Sequence, residues 1–432
     1  MLLLKHFPEE RGWGLEVLAT DISTRVLEKA RAAVYPIEKS KDIPQEYLRA
    51  YMLKGRGERS GVMKVRPELH RLFPRTRREP DGSIHVLVVD DSAVVRQVMQ
   101  AVLGADPRIK VSVAADPIIA FAKIEKEPPD VIITDLVMPR MDGLTFLKKI
   151  MAERPMPVVV CSEVAHRRTE DAISALELGA VEVITKPKLG VRNFLHESAV
   201  MLLDVVRSAA QARVVRRVPS SRSPRAAADV VMKLGPFAAP RPADDKVIAV
   251  GASTGGTEAL REFLQAMPTN CPGIVIVQHM PEMFTRAFAD RLNKDCAIEV
   301  KEASNGDLIH PGCALIAPGD HHLVVQRTVL GYLAQITDGP LVSRHRPSVD
   351  VLFRSVAKSV SSNAVGVIMT GMGCDGAEGL LEMRQCGAQT IAQDESSCVV
   401  FGMPKEAIAR GAAVTVVPLN RIAEVALKMA TV

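Results

Sequence analysis

Short runs of branched apolar residues recur along this chain, and each stops at a polar residue set in a turn. Ile84-His85-Val86-Leu87-Val88-Val89 stops at Asp90-Asp91-Ser92, Val131-Ile132-Ile133-Thr134 at Asp135, Val158-Val159-Val160-Cys161 at Ser162, and Val181-Glu182-Val183-Ile184 at Thr185-Lys186. Further on, Val247-Ile248-Ala249-Val250 leads into Gly251-Ala252-Ser253-Thr254-Gly255, Ile274-Val275-Ile276-Val277 into Gln278-His279, and Val365-Gly366-Val367-Ile368-Met369 into a glycine-rich loop holding Asp375. Nearly continuous apolar character over so few residues fits strands covered on both faces. Between the runs lie segments with helical spacing, such as Val94, Val95, Val98, Met99, Val102 and Leu103. Strands alternating with helices predict an α/β protein built on doubly wound parallel sheets. In such a sheet the carboxyl ends of the strands share one edge, so polar residues far apart in sequence can meet there.

A chain of 432 residues has room for two or three domains with cores of their own. Two basic connectors divide it. Residues 71–83 carry Arg71, Arg75, Arg77 and Arg78; residues 206–245 form a Pro/Arg-rich linker whose composition is most biased from position 212 onward. The expected segments are 1–80, 84–205, the flexible linker 206–245, and 246–430. The net charge of +5 gathers in the connectors, which argues against a folded nucleic-acid-binding face. Seven cysteines contain no C-x-x-C pair, and most sit in or beside apolar runs, as buried reduced thiols of a cytoplasmic protein would. The start of the chain lacks the pattern of a signal peptide, and no apolar run approaches the length of about 20 residues that spans a bilayer, so an integral membrane protein is not expected.

The strand ends of the middle segment offer Asp90, Asp91, Asp135, Ser162 and Lys186. Three carboxylates at one sheet edge repel one another unless a cation lies among them, and oxygen ligands with room for water suit Mg²⁺. Asp135 can then attack a phosphoryl group while Lys186 neutralises its oxygens and Ser162 hydrogen-bonds one of them. Each acid could instead cap a helix. Val88-Val89-Asp90-Asp91-Ser92, Thr134-Asp135-Leu136-Val137-Met138-Pro139-Arg140-Met141-Asp142-Gly143 and Thr185-Lys186-Pro187 resemble response-regulator receiver domains. The resemblance implies a flavodoxin-like fold and phosphorylation of Asp135 by a sensor histidine kinase. It implies Mg²⁺ held by Asp90, Asp91, Asp135 and the Val137 carbonyl, a switch through Ser162 and Lys186, and a cis peptide at Lys186-Pro187. The sequence departs at Val183, where the family often carries an aromatic residue of its switch.

In the C-terminal segment Gly251-Ala252-Ser253-Thr254-Gly255 satisfies G-x-S-x-G, whose glycines allow a sharp strand-to-helix turn that exposes a serine nucleophile. Glycine-rich turns also cradle phosphates, but no G-K-[ST] follows. His279 alone could be a structural histidine, and Asp375 alone a turn residue. Together they make a serine hydrolase triad, with Asp375 holding the imidazole that activates Ser253. His321 and His322 stand near another strand end, where one could line the cleft. Gly251-Ala252-Ser253-Thr254-Gly255-Gly256, Val277-Gln278-His279-Met280-Pro281, Arg346-Pro347-Ser348-Val349-Asp350 and Met369-Thr370-Gly371-Met372-Gly373-Cys374-Asp375-Gly376 resemble chemotaxis protein-glutamate methylesterases of the CheB family. The resemblance implies the triad Ser253, His279 and Asp375, with oxyanion donors at the backbone N–H groups near Thr254 and Met372, and no cofactor for the esterase. Its substrate would be the glutamate γ-methyl ester of chemoreceptors, and some relatives also deamidate receptor glutamine. A cytoplasmic enzyme recruited to membrane receptor arrays would follow, its receiver packing over the cleft until phosphorylated. A rival reading is a phosphorylated, receptor-binding adaptor without catalysis.

Residues 13–73 resemble a late part of the chemotaxis receptor methyltransferase, the CheR family, through Leu18-Ala19-Thr20-Asp21-Ile22-Ser23 and Ile43-Pro44-Gln45-Glu46-Tyr47-Leu48. Asp21 would match the acid that binds the ribose of S-adenosylmethionine. The strand and glycine loop that should precede it are missing, and one strand with one or two helices cannot bury a core. No methyltransferase activity is expected of this segment.

Overall fold

The apolar runs read from the sequence become the central strands of two parallel sheets in a computed structural model, which describes residues 34–36, 48, 52–54, 62–65, 83–162, 166–186, 192–214 and 246–431. The chain divides into two compact units, Met1–Ser83 and Ile84–Val432. In the first, β1 (Val34–Pro36), β2 (Met52–Lys54) and β3 (Val62–Val65) form an antiparallel sheet in the order β1-β3-β2. These short strands were not among the elements expected there; the expected strand leading to Asp21 lies outside the described residues.

The second unit begins with β4 (Ile84–Val89), β5 (Ile109–Ala114), β6 (Val131–Thr134), β7 (Val158–Ser162) and β8 (Glu182–Thr185), all parallel in the order β5-β4-β6-β7-β8. Helices α1 (Ala93–Leu103), α2 (Pro117–Lys126), α3 (Gly143–Glu153), α4 (His166–Glu177) and α5 (Arg192–Gln211) connect or follow them. Ser92, Asp116 and Asp142 cap the first three, accepting hydrogen bonds from first-turn N–H groups. The order of strands reverses between β4 and β6, which opens a crevice beyond their carboxyl ends, where Asp90 and Asp135 stand. Helix α5 runs past residue 205, the expected domain boundary, because its apolar spacing continues through Val206 and Ala209, which pack among Val88, Val159 and Leu202. Pro187 lies outside the described residues, and with it the expected cis peptide.

The C-terminal part has a seven-stranded parallel sheet. Its strands are β9 (Val247–Ala252), β10 (Gly273–Gln278), β11 (Glu299–Glu302), β13 (Cys313–Ile316), β16 (Ala364–Ile368), β17 (Gln389–Gln393) and β18 (Thr415–Val417), ordered β11-β13-β10-β9-β16-β17-β18. Val247 pairs with Gly273 on one side and Ala364 on the other, so β10, β9 and β16 end level with one another. The sheet is wound by α6 (Gly256–Gln265), α7 (Glu282–Asp295), α8 (Val349–Ser359), α9 (Ala377–Gln385), α10 (Met403–Ala409) and α11 (Leu419–Ala430). A small antiparallel sheet of β12 (Leu308–Ile309), β14 (His322–Thr328) and β15 (Gly331–Thr337) sits beside it, a feature not expected from the sequence.

The two parallel-sheet parts share core. One cluster of buried apolar residues includes Ile173 and Leu176 of α4 with Leu264 of α6 and Phe288 and Leu292 of α7. At its rim Arg291 Nε lies 2.9 Å from Glu177 Oε1.

Candidate active site and phosphoacceptor site

Strand β9 delivers Ser253 at a turn that the adjacent backbone fixes tightly. Gly255 takes φ 76°, the left-handed region that favours glycine, and so turns the chain into α6. The Ser253 N–H donates to the Thr370 carbonyl at 3.0 Å, and Gln278 Nε2 donates to the Ser253 carbonyl at 2.9 Å. A side chain at Gly371 would put its Cβ 2.7 Å from Ser253 Cβ, so only glycine lets the Asp375 loop lie against the serine.

Ser253, His279 and Asp375 meet as the sequence predicts. His279 Nδ1 lies 3.1 Å from Ser253 Oγ, and His279 Nε2 lies 2.9 Å from Asp375 Oδ2. An ionised carboxylate only accepts, so Nε2 carries the proton and Nδ1 presents its lone pair to the serine hydroxyl. The ring is thus used in the opposite sense to the trypsin-type triad, where Nε2 faces the serine. Asp375 is buried at the N-terminus of α8. Its Oδ1 accepts from Ser348 Oγ at 2.8 Å and from the Asp350 N–H at 3.1 Å, and its Oδ2 from the Val349 N–H at 2.8 Å. Burial pushes this carboxyl up, but the bonds from His279, Val349 and Asp350 outweigh it and hold the group down at about 2.

The Thr254 and Met372 backbone N–H groups, the expected oxyanion donors, find no acceptor among the described residues. Thr254 has a second engagement. Its Oγ1 donates to Glu182 Oε2 at 3.0 Å and accepts from Ser208 Oγ at 2.8 Å, residues of strand β8 of the five-stranded sheet and of helix α5. Burial pushes the Glu182 carboxyl up to about 7 against the opposing bond from Thr254.

Neither histidine of the 321–322 pair reaches the reacting groups. His321 Nδ1 pairs with Asp338 at 2.6 Å, and His322 bridges the Ser348 N–H and the Pro340 carbonyl. The histidine that does reach them is His345, stacked on His279 with ring centroids 3.7 Å apart and planes 11° from parallel. No apolar run precedes it. The available signal was its place just before Arg346-Pro347-Ser348-Val349-Asp350, the phrase that supplies the ligands of Asp375.

At the other sheet edge, carboxylate oxygens of Asp90, Asp91 and Asp135 lie within 4.8 Å of one another. Lys186 Nζ sits 2.9 Å from Asp90 Oδ2 and 2.8 Å from Asp135 Oδ2. Burial raises the Asp90 carboxyl above its ordinary range, against the pull of Lys186. Burial would lower the Lys186 pKa, but its carboxylate partners carry it above the usual lysine range. Asp90 Oδ2 is buried without an aligned hydrogen bond, and two buried acids with a third exposed make an oxygen-rich set that fits a hard divalent cation. Ser162 ends β7, buried, and its carbonyl accepts the Lys186 N–H at 3.0 Å; Val137 is exposed, two residues past Asp135.

The CheB methylesterase family matches residues 248–426, the response regulator receiver domain family residues 86–194, and the CheR methyltransferase SAM binding domain family residues 1–72. A protein-glutamate methylesterase/protein-glutamine glutaminase of Geobacter metallireducens is 56% identical over 350 residues, spanning 80% of this chain and 99% of its own. Another of the same description, from Pseudomonas savastanoi pv. phaseolicola, is 55% identical over 350 residues, spanning 79% of this chain and 98% of its own. The crystal structure of the Thermotoga maritima CheB methylesterase catalytic domain is 38% identical, covers 43% of this chain and 98% of that one, and superposes with a TM-score of 0.42.

Proposed function

Because the chain belongs to the CheB family of protein-glutamate methylesterases, with a receiver domain ahead of the esterase, we propose that it hydrolyses glutamate γ-methyl esters on chemoreceptors under the control of phosphorylation. The observation that carries this reading is the unbroken hydrogen-bonded line Ser253–His279–Asp375. Nδ1 of His279 takes the serine proton as Oγ attacks the ester carbonyl. Asp375 stabilises the imidazolium that forms, and the Thr254 and Met372 N–H groups receive the oxyanion. His279 returns the proton to the departing methanol, and water then cleaves the acyl-enzyme by the same route. Receptor glutamine would follow the same path with ammonia leaving.

Asp135 is the phosphoacceptor in this reading, with a sensor histidine kinase as donor. Asp90, Asp91, Asp135 and the Val137 carbonyl would hold Mg²⁺, which neutralises phosphoryl oxygens when bound. Lys186 adds a second positive charge, and Ser162 supplies the switch hydroxyl. Phosphorylation there would loosen the contacts of Glu182 and Ser208 on Thr254, beside the nucleophile. The receiver from residue 84, the Pro/Arg-rich linker and the esterase from residue 246 are the working parts, in the cytoplasm at receptor arrays. In this reading the partial methyltransferase-like segment 1–80 contributes no methyltransferase activity. Among the described residues no helix is long and apolar enough to cross a membrane.

A receptor-binding adaptor has no need of an aligned triad. Methanol release from methylated chemoreceptors, with and without a small phosphodonor, tests the reading. Wild type should release methanol faster with the donor, Asp135→Asn should keep only basal release, and Ser253→Ala should release none. Turnover by Ser253→Ala would overturn the mechanism.

A further inference from the structure

We propose that His345 is a positioning residue for the esterase reaction: its ring lies flat on His279 and holds that imidazole in the plane joining Ser253 to Asp375. The inference rests on the triad reading above. The two bonds of His279, at 3.1 and 2.9 Å, leave from its ring nitrogens within the ring plane. They fix the imidazole along that line but resist tipping out of plane only weakly, and tipping turns the Nδ1 lone pair away from Ser253 Oγ. A second ring parallel to within 11° and 3.7 Å away, centroid to centroid, closes one face against that motion.

The placement of His345 is built rather than incidental. It ends a tight turn in which the Val342 N–H donates to the His345 carbonyl at 3.1 Å and the His345 N–H to the Val342 carbonyl at 2.9 Å. The two residues between, Ser343 and Arg344, take φ 51° and 69°, a left-handed region that side-chain-bearing residues avoid unless their surroundings impose it. Arg346 then anchors the segment, donating twice to Asp320 Oδ1, at 3.0 and 2.6 Å, and once to the Gly339 carbonyl at 2.6 Å. Two residues on, Ser348 grips Asp375 at 2.8 Å. One segment therefore holds both the carboxylate and the ring that face His279.

The charge state suits the task. Burial first, then the neighbouring His279 and Arg344 charges, hold His345 well below the usual histidine range, with Asp375 opposing. The imidazolium formed during catalysis thus meets a neutral aromatic face and not a second cation.

The test uses the full chain and methanol release from methylated chemoreceptor, with kcat and KM resolved and the melting temperature recorded. His345→Leu fills the space without a π face, and His345→Phe restores one. Geometric misplacement near a reacting centre costs about ten- to a hundredfold in rate, so the leucine variant should lose about tenfold in kcat at unchanged KM and melting temperature. The phenylalanine variant should return to within about threefold of wild type, as the stack is retained. The proposal is overturned if His345→Leu keeps wild-type kcat, if only KM moves, or if His345→Phe is as poor as His345→Leu. If the leucine variant does not fold, a phenylalanine variant with kcat down tenfold or more overturns it equally, and one near wild type supports it. Ser253→Ala, run in parallel, separates the two levels: a live Ser253→Ala protein overturns the triad reading itself, whereas a dead one beside a fully active His345→Leu overturns the stack alone.

Discussion

Asp375 carries a structural load besides the chemical one proposed for it. Its carboxylate satisfies two N–H groups at the start of α8 and the Ser348 hydroxyl, while its Oδ2 also orients His279. Asp375→Asn keeps the shape but presents an N–H₂ toward a ring nitrogen that must itself donate, which favours the wrong tautomer. Such a change costs on the order of 10⁴-fold in kcat in a comparable triad, and a loss of about 10³–10⁴-fold is expected here in methanol release. A stability effect accompanies it. Because the folded pKa is depressed from 3.8 to about 2, the stabilisation is full above the unfolded value and is lost as pH falls through the folded one. Urea midpoints of wild type and Asp375→Asn should therefore differ most near neutrality and converge as the pH is taken down across that window. A gap that does not narrow would show that the carboxylate is not the source. At this scale Ser253, His279 and Asp375 were legible because each follows an apolar run. His345 was not, because its role comes from a turn and a ring contact that leave no periodic trace.

Strands β9, β10 and β16 show why the triad could be read from elements alone. Their level register brings three strand ends together whatever the intervening sequence does. The loop after β16 is the sensitive element, since it must lie on the nucleophile. A Cβ at Gly371 would meet Ser253 Cβ at 2.7 Å and Met403 Sδ at a clashing distance, so one or both must move. Gly371→Ala should lower kcat by about tenfold or more and destabilise by about 1–3 kcal/mol, the range for overpacking, as read by methanol release and urea unfolding. Normal turnover with normal stability would mean the loop has slack that the packing does not show. Other elements were less legible for physical reasons. Helix α5 continues beyond the expected boundary because Val206 and Ala209 keep its buried stripe going, while nearby alanines and arginines resemble linker composition. The small sheet of β12, β14 and β15 was hidden because β12 is two residues long and β14 mixes Gln326 and Arg327 into its run. The strands β1–β3 are three or four residues each, too short for alternation to register.

The receiver and the esterase part meet beside Ser253, and that meeting contains an ionisable group. Glu182 stands in the Ser208–Thr254–Glu182 chain of hydroxyls and carboxyl, one residue from Ser253, and burial has pushed it from 4.5 to about 7. The packed state therefore holds this proton more tightly than an opened state in which the carboxyl is solvated. Linkage fixes the sign: the packed arrangement is strongest at acid pH, weakens as pH rises from the solvated value through about 7, and changes no further above it. Basal activity of the unphosphorylated chain, divided at each pH by that of the isolated domain 246–432, should rise between about pH 5 and about 7 and level off above that; the division cancels the titration of the proposed triad itself. Glu182→Gln mimics the protonated carboxyl, keeps an acceptor for Thr254 Oγ1, and has nothing to titrate. Its ratio should be flat across the range and, at the alkaline end, lower than that of wild type. Phosphodonor should still activate it, because Asp135 and Lys186 are untouched. A wild-type ratio that does not change with pH, or a Glu182→Gln ratio that climbs in step with it, would remove Glu182 from the interface energetics and leave the apolar cluster around Leu176, Leu264 and Phe288 to hold the two parts together.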